Sequence, residues 1–150
     1  MESHLEQMRG VLITLHGGKL LLPNTTVSEI ISFVAPEAVK DKPDWYLGAI
    51  RWKGYRLPLV SISSLMGWPG PESTGTAKIS ILKALSGESK MPYYAILTQG
   101  FPRLVNITSE QLLDDKEHNS EYCYSAFLND EAVTVPDLER VETLIREHHI

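Results

Sequence analysis

The sequence predicts a mainly β protein of about ten short strands ending in a single C-terminal helix, and three observations carry that prediction. Short apolar runs recur along the chain, separated by turn residues. Three of the gaps hold dipeptides suited to tight hairpins, namely Gly17-Gly18, Lys53-Gly54 and Asn129-Asp130. Only the tail, from Pro136 onward, changes to a helical period.

Val11 to His16 and Lys19 to Leu22 flank Gly17-Gly18, a pair that accepts positive φ at both central positions, and form the first hairpin. Pro23 ends that strand. Asn24-Thr25-Thr26 then offers side-chain oxygens to cap a short helical turn over Val27 to Ile30, with a further strand from Ile30 to Val34. After a loop through Pro36 and Lys40-Asp41-Lys42-Pro43, the runs Trp45 to Trp52 and Tyr55 to Val60 face each other across Lys53-Gly54. Pro58 lacks an N–H, so its stretch of strand should be an edge or a bulge. Ile62 to Met66 suits one helical turn ended by Gly67.

Gly67 to Gly75 holds two prolines and three glycines, the strongest composition shift in the chain, and marks a subdomain junction. Beyond it Lys78 to Leu85, a turn at Gly87-Glu88-Ser89, Tyr93 to Thr98 and Arg103 to Ile107 repeat the hairpin grammar. The acidic stretch Ser109 to Ser120 reads as a solvated loop. Cys123 to Phe127 and Ala132 to Val135 bracket Asn129-Asp130, giving about five strands to each half. In the tail, Leu138, Val141, Leu144 and Ile145 share one face, and Glu139, Arg140, Glu142 and Arg146 the other.

A chain of 150 residues with 43% hydrophobic and 22% charged residues is ordinary globular material with enough core to fold. Its net charge of -5, without any dense Lys/Arg cluster, repels phosphates, so nucleic acid is not an expected partner. Cys123 is the sole cysteine, which excludes an internal disulfide and fits a reducing compartment. The N-terminal residues lack a signal-peptide apolar run and no stretch is long and apolar enough to insert in a membrane, so a cytoplasmic protein is expected.

Catalytic chemistry is not legible. The nucleophile elbow, phosphate loop, zinc-protease and dinucleotide motifs are absent. His4, His16, His118, His148 and His149 show no ligand spacing, so neither a metal nor a cofactor is expected. Cys123, between Tyr122 and Tyr124, reads as a small buried hydrophobe with no base to activate it. The reading is therefore a non-enzymatic binding protein.

The residues that carry a resemblance lie mostly between Leu20 and Gly67. Leu20-Leu21-Leu22-Pro23 followed by Val27-Ser28-Glu29-Ile30-Ile31, then Gly48-Ala49-Ile50-Arg51-Trp52-Lys53-Gly54 and Leu57-Pro58-Leu59-Val60-Ser61-Ile62, resemble in order and spacing the signature of the CheW family of chemotaxis adaptors. Tyr93 to Thr98 and Val135-Pro136-Asp137-Leu138 resemble its later strand and its entry to the last helix. The resemblance implies one domain over residues 9–147, made of two five-stranded SH3-like β-barrel subdomains with a C-terminal α-helix. Subdomain 1 spans about residues 19–67 and subdomain 2 about 76–135, with the N-terminal strand and the helix packed on the barrels. It implies two partners, the regulatory domain of a CheA-type histidine kinase and the cytoplasmic tip of methyl-accepting chemoreceptors, met at arrays on the inner face of the membrane. By correspondence with the motif, Val27, Glu29 and Gly48 fall where such proteins contact the kinase or position the contacting loop, and Lys53 falls at an arginine implicated in coupling.

Ile30, Trp52 and Pro58 complete the candidate interface, each with a structural alternative. Ile30 suits a core, Trp52 a lid on its own barrel, and Pro58 an edge strand. The chain departs from the family pattern at Lys53 and Arg51, and at Ser61 and Ser63 in place of Asp and Arg. An ammonium cannot form the planar bidentate contact of a guanidinium, so Lys53 re-specifies any contact built for arginine. These departures point to a divergent paralogue, with a type IV pilus twitching pathway as its expected setting. The rival reading is a stand-alone SH3-like or oligonucleotide-fold module for a small ligand or single strands.

Overall fold

Alternation along the first strand already divides the interior. In the computed structural model, which describes residues 7–68, 75–85, 91–108, 110–115 and 120–148, β1 (Gln7–Leu15) pairs antiparallel with β2 (Gly18–Pro23). Val11, Ile13, Leu20 and Leu22 point into a central core, while Leu12 and Leu21 point to the opposite side, into another. Leu15 pairs with Gly18, so the turn is His16-Gly17 and positive φ occurs only at Gly17. The expected Gly17-Gly18 turn is thus displaced by one residue. Trp68 explains why Gly18 is glycine all the same, because a Cβ there would lie 2.7 Å from the indole.

A 3₁₀ turn at Asn24–Thr26, without a side-chain cap, leads directly into β3 (Val27–Ser32). The expected helical turn over Val27 to Ile30 is instead strand, because Val27, Ile30 and Ile31 are β-branched and find a partner in β6 (Ala77–Lys83). β4 (Tyr46–Trp52) and β5 (Tyr55–Val60) form the second hairpin, with positive φ at both Lys53 and Gly54. Ser61 caps α1 (Ile62–Met66) through a 3.1 Å bond to the Ser64 N–H, and Gly67 ends it in the left-handed region.

The two runs expected at Tyr93 to Thr98 and Arg103 to Ile107 are one strand, β7 (Tyr93–Thr108). It pairs with β6 and β5 at its start and with β1 at its end. Gly100, at φ 64°, lies where the β1 register slips, Thr14 facing Gln99 while Leu12 faces Arg103. The remaining elements are β8 (Leu112–Asp114), β9 (Cys123–Leu128), β10 (Glu131–Pro136) and α2 (Leu138–His148). Asn129 and Asp130 both take positive φ in the third hairpin turn.

The fold is mainly β with one C-terminal helix, and its ten strands form one hydrogen-bonded network rather than closed barrels. The path runs β3-β6-β7-β1-β2-β10-β9-β8 and is open at β3 and β8, with β5 joining β4 to β7. Two lobes remain recognisable by their cores. One gathers Ile50, Trp52, Leu57, Leu59, Ile79 and Ile81, and the other Leu12, Leu21, Ile107, Ala126, Leu128 and Val133. Pairing of β3 with β6 and of β5 with β7 crosses the junction expected at Gly67 to Gly75, of which residues 69–74 lie outside the described residues. The turn expected at Gly87-Glu88-Ser89 and part of the acidic loop also lie outside them.

Helix α2 covers the central core with Val141 and Ile145. Asp137 starts it, accepting from the Arg140 N–H at 3.3 Å. Glu142 departs from the expected polar face and is buried. Both of its carboxylate oxygens accept from the Leu85 N–H, at 2.9 and 2.8 Å, which gives a buried charge the hydrogen bonding it requires.

Candidate protein interface

A bulge determines which motif side chains meet. In β3 the register shifts between Val27, opposite Leu82, and Glu29, opposite Ile81. Leu82 belongs to the central core and Ile81 to the core behind Trp52. The extra residue therefore sends Val27 and Glu29 to different faces, where a regular strand would align them. Val27 packs, half-buried, on the central core, and half-buried Ile30 faces Ser80.

Glu29 is brought to the tip of the β4–β5 hairpin. Its Oε1 lies 3.3 Å from the Lys53 Nζ, with the two side chains 40% and 67% exposed. The same ammonium lies 5.1 Å from the Trp52 ring centroid. Lys53 holds φ 46° at the first central position of a turn that favours Asn or Gly, at a cost of about 1 kcal/mol. An exposed ion pair returns less than about 1 kcal/mol. Local stability therefore gives no net reason for lysine at this position.

Trp52 is 9% exposed and closes its lobe, as the lid reading expects. Its ring meets Tyr93 edge-on at 5.0 Å, and Tyr55 meets Tyr93 at 5.2 Å. Its buried Nε1 has no hydrogen-bond partner among the described residues. Sequence reasoning missed the two tyrosines; Tyr55 is Trp52's partner across the hairpin, and Tyr93 reaches Trp52 through the β5–β7 pairing. Gly48 and Pro58 lie apart from Glu29 and Lys53, and both are buried. Gly48 has φ 144°, and a Cβ there would sit 2.3 Å from the Glu37 carbonyl oxygen. It is glycine so that the Pro36-Glu37 loop can bond Ala49 in both directions, at 2.8 and 3.0 Å. Pro58 faces Ala49 one rung further on, and β5 gains β7 as a neighbour only from Leu59, so the missing N–H interrupts no ladder.

Among the described residues, no group of three or more His, Cys, Asp or Glu could hold a metal. Burial, and then Asp137, push the Cys123 thiol up to about 12, which keeps it protonated at neutral pH. Tyr55 is 42% exposed at this corner, and more exposed apolar side chains lie elsewhere, with Phe101 at 80% and Leu104 at 71%. Phe101 sits in the β7 irregularity between Gly100 and Pro102, and Gly-Phe-Pro inside a strand was the available signal. No helix among the described residues is long and apolar enough to cross a membrane.

Comparison with known proteins agrees with this architecture. No curated protein matches the chain. Among solved structures the chain is similar to the scaffolding protein TtCheW from Thermoanaerobacter tengcongensis, with a TM-score of 0.75 at 14% identity, covering 89% of this chain and 90% of that one. The family model of the CheW-like domain matches residues 9–144. Matched by that family model over nearly its whole length, the chain belongs to the CheW-like domain family.

Proposed function

We propose that this protein is a non-enzymatic adaptor that couples the cytoplasmic tip of methyl-accepting chemoreceptors to the regulatory domain of a CheA-type histidine kinase. It acts in the cytoplasm, at arrays on the inner face of the membrane, in a chemotaxis or twitching pathway. Membership of the CheW-like domain family supports an adaptor role in chemotaxis signalling.

The observation that carries the finer reading is the meeting of Glu29 and Lys53, 24 positions apart in sequence, on one exposed corner. Val27 and Ile30 lie on the same edge strand but face away from this corner, whose apolar part is Trp52, which backs Lys53 from beneath, and the exposed Tyr55. Gly48 and Pro58, both buried, serve the face indirectly by fixing how the β4–β5 hairpin is held. An adaptor needs this kind of polar, adaptable rim around apolar anchors.

The test is co-elution of the purified protein with a CheA-type regulatory domain and with a receptor cytoplasmic fragment from the same cell. Wild-type protein is expected to form both complexes. Lys53→Glu should weaken at least one, while far-ultraviolet circular dichroism stays unchanged. Failure to bind any such kinase or receptor would overturn the reading.

A further inference from the structure

Arg51 in β4 and Arg56 in β5 stand directly opposite one another in the antiparallel register, where facing Cα atoms lie about 5 Å apart. Both side chains are exposed, that of Arg51 by 76%. Like charges facing each other across a hairpin weaken it. The hairpin from Tyr46 to Val60 nonetheless carries three cations, Arg51, Lys53 and Arg56, and no acid, in a chain whose net charge is -5. Along the sequence these cations look isolated. Folding gathers them.

Compensation from the rest of the protein is partial. Glu37 approaches the Nε of Arg51 at 3.6 Å. Among the described residues, no carboxylate forms an ion pair with Arg56. Strand alternation sends Arg51 away from Trp52, so the two arginines occupy a different face from the Glu29–Lys53 corner. The rung beside them on the same face, Ala49 and Pro58, is buried, so the two guanidiniums stand at the exposed end of the hairpin.

We propose that the Arg51/Arg56 face is a recognition site for an acidic segment of a partner protein. Its carboxylates would complete the guanidinium hydrogen bonds left unmade among the described residues, and would turn a repulsive pair into a two-point clamp. Guanidinium forks match carboxylates bidentately. A polyphosphate would feel the negative charge of the whole surface, whereas a short carboxylate segment meets mainly the local cations within a Debye length of about 8 Å. The clamp does not depend on which partners bind the Glu29–Lys53 corner.

The test titrates the whole protein into a fluorescently labelled peptide of alternating glutamate and glycine at about 0.15 M salt, followed by anisotropy. Saturable binding is expected, weakened about fivefold or more by Arg51→Gln or Arg56→Gln, as for loss of a charge-assisted contact at an exposed site. Glu37→Gln should tighten it by releasing Arg51, and Lys83→Gln, an equal charge change on β6, should leave it unaltered. Arg56→Gln should also raise the thermal unfolding midpoint, since a repulsion is removed, whereas loss of a structural residue would lower it. Binding that survives the Arg51→Gln/Arg56→Gln double variant, or that falls equally in Lys83→Gln, would overturn the proposal. So would a lowered midpoint in Arg56→Gln, or tighter binding of a single-stranded oligonucleotide through the same two arginines.

Discussion

Glu142, in the middle of the C-terminal helix, holds the backbone N–H of Leu85 between its two carboxylate oxygens, at 2.9 and 2.8 Å. The side chain is buried, so this contact ties α2 to the bend that follows β6, across 57 positions of sequence. The same carboxylate, after burial itself, holds the buried Tyr94 phenol in its protonated form.

Removing that carboxylate should be costly. Glu142→Ala is expected to destabilise the protein by about 2–3 kcal/mol, the range for loss of a charge-assisted partner at a buried site. Denaturant titration reads the loss, and faster hydrogen exchange at the Leu85 amide localises it.

Two glycines of the β4–β5 hairpin separate a clash from mere strain. Gly54→Ala introduces a Cβ with nothing within 4 Å at φ 84°, and should cost about 1 kcal/mol. Gly48→Ala drives a Cβ to 2.3 Å from the Glu37 carbonyl oxygen, and should cost about 3 kcal/mol or more as the Pro36-Glu37 loop is displaced. Equal effects in chemical denaturation would contradict the geometry.

Lys53 should be a residue whose removal stabilises. Lys53→Asn places the preferred residue in the left-handed position, and loses only an exposed ion pair and the Trp52 contact. The unfolding midpoint is expected to rise by a few degrees, corresponding to about 0.5 kcal/mol.

Cys123 predicts an alkaline dependence of stability. Its thiol is raised from an ordinary 9.0 to about 12. The unfolded chain therefore releases this proton at lower pH than the folded one, and stability present below about pH 9 is lost as pH rises toward 12. The slope is about 1.4 kcal/mol per pH unit for this group. Cys123→Ala should flatten the pH dependence of the unfolding free energy between pH 9 and 10.

Local chemistry was the most legible part of this chain. Lys53-Gly54 and Asn129-Asp130 declare their turns because both positions demand positive φ, and Gly67 ends α1 for the same reason. Where a tertiary contact decides, local signals fail. Val27 to Ile30 carry a plausible helix start, yet β6 supplies a ladder and makes them strand. Glu142 reads as solvated on any helical wheel, because the amide that receives it lies on another element. In the candidate interface the order of motifs was readable, and the pairing of Glu29 with Lys53 was not. That pairing depends on a one-residue bulge opposite Leu82 and Ile81, which no periodicity announces.

The length of β7, one strand despite its irregularity at Gly100, has a mechanical consequence. Sixteen residues of one strand run from the lobe around Ile79 and Ile81 to the lobe around Ile107, and bond to different neighbours at either end. Such a shared spine leaves neither lobe a clean plane along which to detach. Load applied where one binding partner grips should be borne by the other half of the molecule as well, so the protein yields as a single body rather than as two beads on a string.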